Sequence, residues 1–120
     1  MTIMTTTHDL LALRCQHTET GLSQAEIEAH LKLTPGWAQD GARIVKTYQF
    51  ENYYQALAFV NAIAYTIHAE DHHPELVLTY NRCIVRFDTH TVNDGKGGIS
   101  INDFICAAKL DAIHQQQFAA

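Results

Sequence analysis

HAEDHHPELVLTYNRCIVRFDTH, residues 68–90, decides how this chain folds. Its first residues close a helical pattern, because Pro74 cannot continue a helix and biases His73 away from helical geometry. Two extended runs follow, Leu76–Tyr80 and Cys83–His90, joined at Asn81-Arg82. In the second run Cys83, Val85 and Phe87 share one face, and Ile84, Arg86, Asp88 and His90 share the other, as a period of two requires. The apolar face should meet helices, and His90 should point away from that core. His72 and His73 therefore stand in the connection between helix and strand, and His90 closes the hairpin.

Outward from this stretch the elements alternate. Upstream, Glu51 to about Glu70 is the longest helical pattern, with Tyr53, Ala56, Leu57, Val60, Ile63, Ala64 and Ile67 at helical spacing. Before it, Trp37 opens a hairpin that turns at Asp40-Gly41 and returns along Ala42–Phe50. Ser23-Gln24-Ala25-Glu26 is a capping box whose helix, with Ile27 and Leu31 on one face, should stop before Pro35-Gly36. Downstream, Asn93 to Gly98 is a loop. Ser100-Ile101-Asn102-Asp103 is a second capping box, starting a last helix that runs to about Gln117. Residues 1–20 are polar, Thr-rich and without clear periodicity, and read as a flexible tail before one domain over 21–120. The order α-β-β-α-β-β-α predicts an α+β fold, a four-stranded antiparallel sheet with three helices packed on one face.

Composition narrows the function classes. At 120 residues and 47% hydrophobic content the chain fits one globular domain and is too apolar for a disordered one. A formal charge of -5 and the lack of any Lys/Arg run argue against a general nucleic-acid binder. Cys15, Cys83 and Cys106 are odd in number, far apart and without a C-x-x-C pair, and so read as reduced thiols. The first residues lack a basic region followed by an apolar run, and no apolar stretch approaches the roughly 20 residues that span a bilayer. The expectation is a soluble, cytoplasmic protein with no membrane or nucleic-acid partner.

His72, His73 and His90 are the candidate chemistry. Histidine gives and takes protons near neutral pH, with an unperturbed pKa of about 6.5. Metal binding is the rival reading, since zinc and iron take imidazoles and carboxylates. Adjacent histidines, however, diverge on an extended segment, and no H-x-x-x-H or H-E-x-x-H helix accompanies them. His68 and His72 are four apart, but Pro74 ends the helix close by, so no metal ligand is assigned. Asp103 is a helix cap that could also orient an imidazole. Gly95-Lys96-Gly97-Gly98 lacks phosphate-loop spacing and reads as a turn. His8, His17, His30 and His114 have no sequence partners and read as surface residues. Tyr53, Tyr54, Phe59 and Tyr65 read as core and interface residues.

Taken together, His68, His72-His73-Pro74, Tyr80, His90 and Asp103 resemble the motif of the pterin-4a-carbinolamine dehydratases. The 17 residues from His73 to His90 match that family's spacing. The flanks are similar too, from Leu22-Ser23 through Trp37, across Tyr48 and Phe50 to Phe59, and at Gly98 to Phe104. The resemblance covers about residues 20–115. Two features depart from the pattern: His68 stands where many members carry Glu, and the loop between His90 and Ser100 is longer by a few residues.

The resemblance implies a hydro-lyase that dehydrates a 4a-hydroxytetrahydropterin to the quinonoid dihydropterin and water. It implies no cofactor, a functional link to an aromatic amino acid hydroxylase, and a homo-oligomer, dimer or tetramer. His72, His73 and His90 would be catalytic, with Asp71, Pro74, Thr89, Asp103 and His68 binding or orienting. Some animal members of the family also serve as dimerisation partners of transcription factors. A protein-binding module of that coactivator type, with a vestigial pterin pocket, is the alternative.

Overall fold

Each helix begins at a side chain that accepts one of the unmet N–H groups of a helix start. The computed structural model of the chain describes residues 6–118. Within it α1 (Thr7–Leu11) is capped by Thr6, α2 (Gln24–Leu31) by Ser23, α3 (Tyr53–Glu70) by Asn52 and α4 (Ile101–Gln117) by Ser100. Glu26 and Asp103 close the two boxes read from the sequence. α3 ends on Asp71, whose left-handed φ of 51° turns the chain out of the helix, and Pro74 prevents its resumption.

The strands are β1 (Ala38–Asp40), β2 (Arg43–Gln49), β3 (Glu75–Leu78) and β4 (Arg82–Phe87). They form one antiparallel sheet in the order β1-β2-β4-β3. In the central pair Ile44 faces Phe87 and Tyr48 faces Cys83. Ile44, Tyr48, Cys83, Val85 and Phe87 are buried against Phe59 and Ile63 of α3, Phe104 and Leu110 of α4, and Ile27 of α2. This is the α+β arrangement that the element order predicts. The first hairpin turns on Gly41-Ala42, one residue later than the Asp-Gly signal suggests, with Gly41 at φ 61°, where a side chain would be strained.

Other details depart from the sequence reading. Within the segment read as a loose tail, Leu10 is in the core and Leu11, Leu13 and Cys15 pack against it, while Met1–Thr5 lie outside the described residues. α1 is too short to show a period, yet Leu10 is fully buried and the Thr7 hydroxyl donates to Leu33 O at 2.6 Å. β4 stops at Phe87, and beyond it only Thr89 pairs, with Gly98. Phe59 is core, but Tyr54 and Tyr65 are 79% and 77% exposed on this single chain. His30 and His114 are half-buried rather than on the surface. His30 lies against Phe104, and His114 packs against Tyr48 and Phe59, its pKa lowered by burial and then by Lys46. Cys15 and Cys106, distant in sequence, meet with their sulfurs 3.5 Å apart. Among the described residues no helix is long and apolar enough to cross a membrane.

Candidate active site

An open cavity of about 240 Å³ forms where four segments meet. They are residues 15–18, the end of α3 with the two residues after it, residues 89–91 beyond β4, and Asn102 in the first turn of α4. The volume lies just below the roughly 300–1,000 Å³ of drug-sized sites, which suits a smaller ligand.

His72 is the fixed point of this cavity. The Asp71 cap turns it inward, and its ring stacks on Phe87, with centroids 5.7 Å apart and planes 4° apart. Its Nε2 donates to Asp103 Oδ1 at 2.6 Å, and Asp103 is fully buried. The other carboxylate oxygen, Oδ2, accepts from the Ser100 backbone at 2.9 Å and from the Thr89 hydroxyl at 3.1 Å. Asp103 therefore caps α4 and orients the imidazole at once. A carboxylate engaged this way leaves only one tautomer for a neutral His72, with Nδ1 free of the acid.

His90 lines the same cavity from the opposite segment. Thr89 and Gly98 exchange backbone bonds of 2.8 and 3.1 Å, and this bridge pins the backbone immediately before His90. A Cβ at Gly98 would come within 2.4 Å of the Asn93 side-chain nitrogen, which would have to move aside. The glycine-rich loop thus returns against the backbone that leads into His90.

The other residues singled out from the sequence fall in different places. Asp71 and Thr89 line the cavity. His73 does not; its ring is 67% exposed, with Nε2 3.9 Å from Asp71 Oδ1. Pro74 is half-buried outside the wall, and His68 is exposed on the last turn of α3. The structure brings His72, His90 and Asp103 together and leaves His73 beside the site. Among the described residues no group of three His, Cys, Asp or Glu side chains is placed to hold a metal ion.

The cavity also contains residues the sequence did not reveal. Glu70 is 4% exposed and binds Lys109 Nζ and Arg14 Nε, each at 2.9 Å, and the Cys15 backbone at 2.7 Å. Burial alone would raise its pKa, but the bonds from Cys15, Lys109 and Arg14 outweigh that and hold it below the ordinary range. Asn102 bonds Gln16 in both directions. One signal was available: Glu70 lies on the buried stripe of α3 with Ala56, Phe59 and Ile63, where a lone carboxylate needs a partner.

A buried carboxylate behind one imidazole, with a second imidazole across a small cavity, is an arrangement that can move protons on a bound molecule. Comparison with known proteins gives it a family. The family described as pterin 4 alpha carbinolamine dehydratase matches residues 20–113. A Bdellovibrio bacteriovorus protein bearing the pterin-4-alpha-carbinolamine dehydratase name is 53% identical over 111 residues, covering 92% of each chain. A Nitrosospira multiformis protein with the same name is 46% identical over 92% of this chain and 97% of its own. The crystal structure of a transcriptional coactivator/pterin dehydratase from Brucella melitensis superposes with a TM-score of 0.71 at 28% identity, covering 78% of this chain and 98% of that one. The chain belongs to the pterin 4 alpha carbinolamine dehydratase family, a family of hydro-lyases.

Proposed function

We propose that this protein dehydrates a 4a-hydroxytetrahydropterin to the quinonoid dihydropterin and water by histidine acid/base catalysis. The observation that carries the reading is the His72 ring, held by Asp103, in the same cavity as His90. The C4a–O bond breaks with its electron pair on oxygen, and hydroxide is a poor leaving group, so that oxygen must receive a proton. A ring N–H loses its proton as the new double bond forms. One acid and one base suffice, each worth about 10²–10⁴-fold in rate. The reaction exchanges no electrons with a partner, so its balance needs no redox cofactor.

In this reading His72 and His90 share the proton transfers. Asp103 holds the His72 ring in one orientation, and His72, carrying a proton on Nδ1, acts as donor to the departing hydroxyl. His90 faces the substrate from the other side and takes the acceptor's part. Asp71 and Thr89 line the pocket, and His73, beside Asp71, contacts the substrate's outer edge. The product would return to the tetrahydropterin used by an aromatic amino acid hydroxylase, in the cytoplasm. The exposed Tyr54 and Tyr65 support a homo-oligomer. Stopped-flow dehydration of freshly generated carbinolamine tests the proposal. A rate no faster with the protein than without it would overturn it.

The Brucella melitensis structure motivates a second reading, a protein-binding module of coactivator type. Full dehydratase activity without capture of a partner protein would decide against it.

A further inference from the structure

Residues 14–18 form a strap across one side of the cavity, and the family match begins only at Thr20. The strap is held at three points. At its start, Arg14 reaches Glu70 by Nε and Ala69 O by its guanidinium at 3.1 Å, while the Cys15 amide donates to Glu70. In the middle, Asn102 accepts from the Gln16 amide at 3.2 Å and donates to Gln16 O at 2.7 Å. At its end, the Thr91 hydroxyl donates to Thr18 O at 2.5 Å. Thr91 directly follows His90, and Asn102 directly precedes Asp103. The strap is therefore fastened to the same backbone that presents the two acid/base elements.

With its backbone taken up by these fastenings, the strap leaves polar side chains for the cavity. Gln16 and His17 are exposed and line it, and His17 has only a 3.5 Å approach to Glu19. A pterin carries an amide-like edge of ring N–H, carbonyl and amino groups, which a carboxamide and an imidazole can bond. Glu70 matters here as an anchor. Its charge is already matched by Arg14 and Lys109, so its role is to hold the strap in place rather than to act on substrate.

We infer that residues 15–18 are a substrate-binding wall of this site, in which Gln16 and His17 bind the polar edge of the pterin and the Glu70 and Asn102 anchors position them. This rests on the dehydratase reading and adds to it a binding determinant outside the histidine motif.

The test uses the whole chain and two readouts. Steady-state dehydration gives KM and kcat, and titration with 7,8-dihydrobiopterin, a stable ligand, gives Kd. Q16A and H17A should each raise KM and Kd about tenfold, the weight of roughly one hydrogen bond, with kcat changed less than about threefold. Both positions are exposed, so their thermal melts should match wild type; N102A, which unfastens the strap, should raise KM at least as much. Independently, bound 7,8-dihydrobiopterin should slow alkylation of Cys15, which lines the cavity beside Gln16. A Q16A/H17A double variant that binds and turns over like wild type, with Cys15 alkylated equally with and without ligand, would overturn the inference while leaving the dehydratase reading intact. A wild-type chain that neither dehydrates nor binds 7,8-dihydrobiopterin would overturn both.

Discussion

His72 Nε2 and Asp103 Oδ1 lie 2.6 Å apart, and the carboxylate is fully buried. This contact decides which imidazole nitrogen is committed and which is left for chemistry. Asp103→Asn would keep the shape but remove the charge behind the ring. It would also face three donors, His72 Nε2, the Ser100 amide and the Thr89 hydroxyl, with one acceptor atom where two now serve. We expect kcat to fall about hundredfold with KM changed little, and the fold to lose about 1–3 kcal/mol from unmet polar groups. Kinetics beside a urea melt separate the two effects, and a kcat equal to wild type would refute the orienting role.

The three histidines of the motif should not be equivalent. His72→Ala and His90→Ala remove groups that line the cavity, and each should lower kcat by about 10²–10⁴-fold. His73→Ala removes an exposed ring outside the wall and should cost less than about tenfold. Parallel stopped-flow measurements on the three variants check this ordering. A His73→Ala loss as large as that of His72→Ala would show that the working site differs from the cavity of the single chain.

These two cases mark where the sequence was legible. Caps, the Pro74 stop and the alternation of Cys83, Val85 and Phe87 are local signals, and they fixed helices, strands and buried face. Asp103 was readable as a cap because the box lies within four residues. Its bond to His72 spans 31 residues and depends on how α4 meets the end of α3. The strap was opaque for the same reason: Arg14, Cys15 and Gln16 find their partners 55 to 91 residues away. The diverging directions of His72 and His73 were foreseen, but not which of them would face inward. That was set by the left-handed Asp71.

Glu70 should make the fold acid-sensitive. Its folded pKa lies below the unfolded carboxylate value of about 4.3, so the unfolded state binds the proton first as pH falls. The stabilisation is therefore fully present above about pH 4.3 and is lost as pH drops through the folded value. Glu70→Gln keeps hydrogen-bonding capacity but does not titrate. We expect it to be less stable than wild type at pH 7, and its urea midpoint to decline less steeply between about pH 5 and pH 3. Parallel slopes for the two proteins would remove Glu70 from the acid response.

On another part of α4, Asp111 gathers three donors from the sheet side: Tyr48 OH at 2.5 Å, Lys46 Nζ at 2.8 Å and Trp37 Nε1 at 3.0 Å. The contact pins α4 to β2 and to the residue before β1. Burial and the nearby Asp111 charge push the Tyr48 hydroxyl far above its usual pKa, so it stays a donor throughout the neutral range. Asp111→Ala would take the carboxylate acceptor from the buried Tyr48 and Trp37 and leave Lys46 only the Pro35 carbonyl at 3.4 Å. Breaking a buried charge pair costs about 3–5 kcal/mol, and the partial exposure of Lys46 should place this one near the lower end. Because Asp111 is not in the cavity wall, kcat per folded molecule should remain at the wild-type level at low temperature. A melt lowered by well over 5 °C with unchanged kcat would assign Asp111 to stability alone, whereas a kcat loss in fully folded protein would tie this anchor to the placement of Asp103.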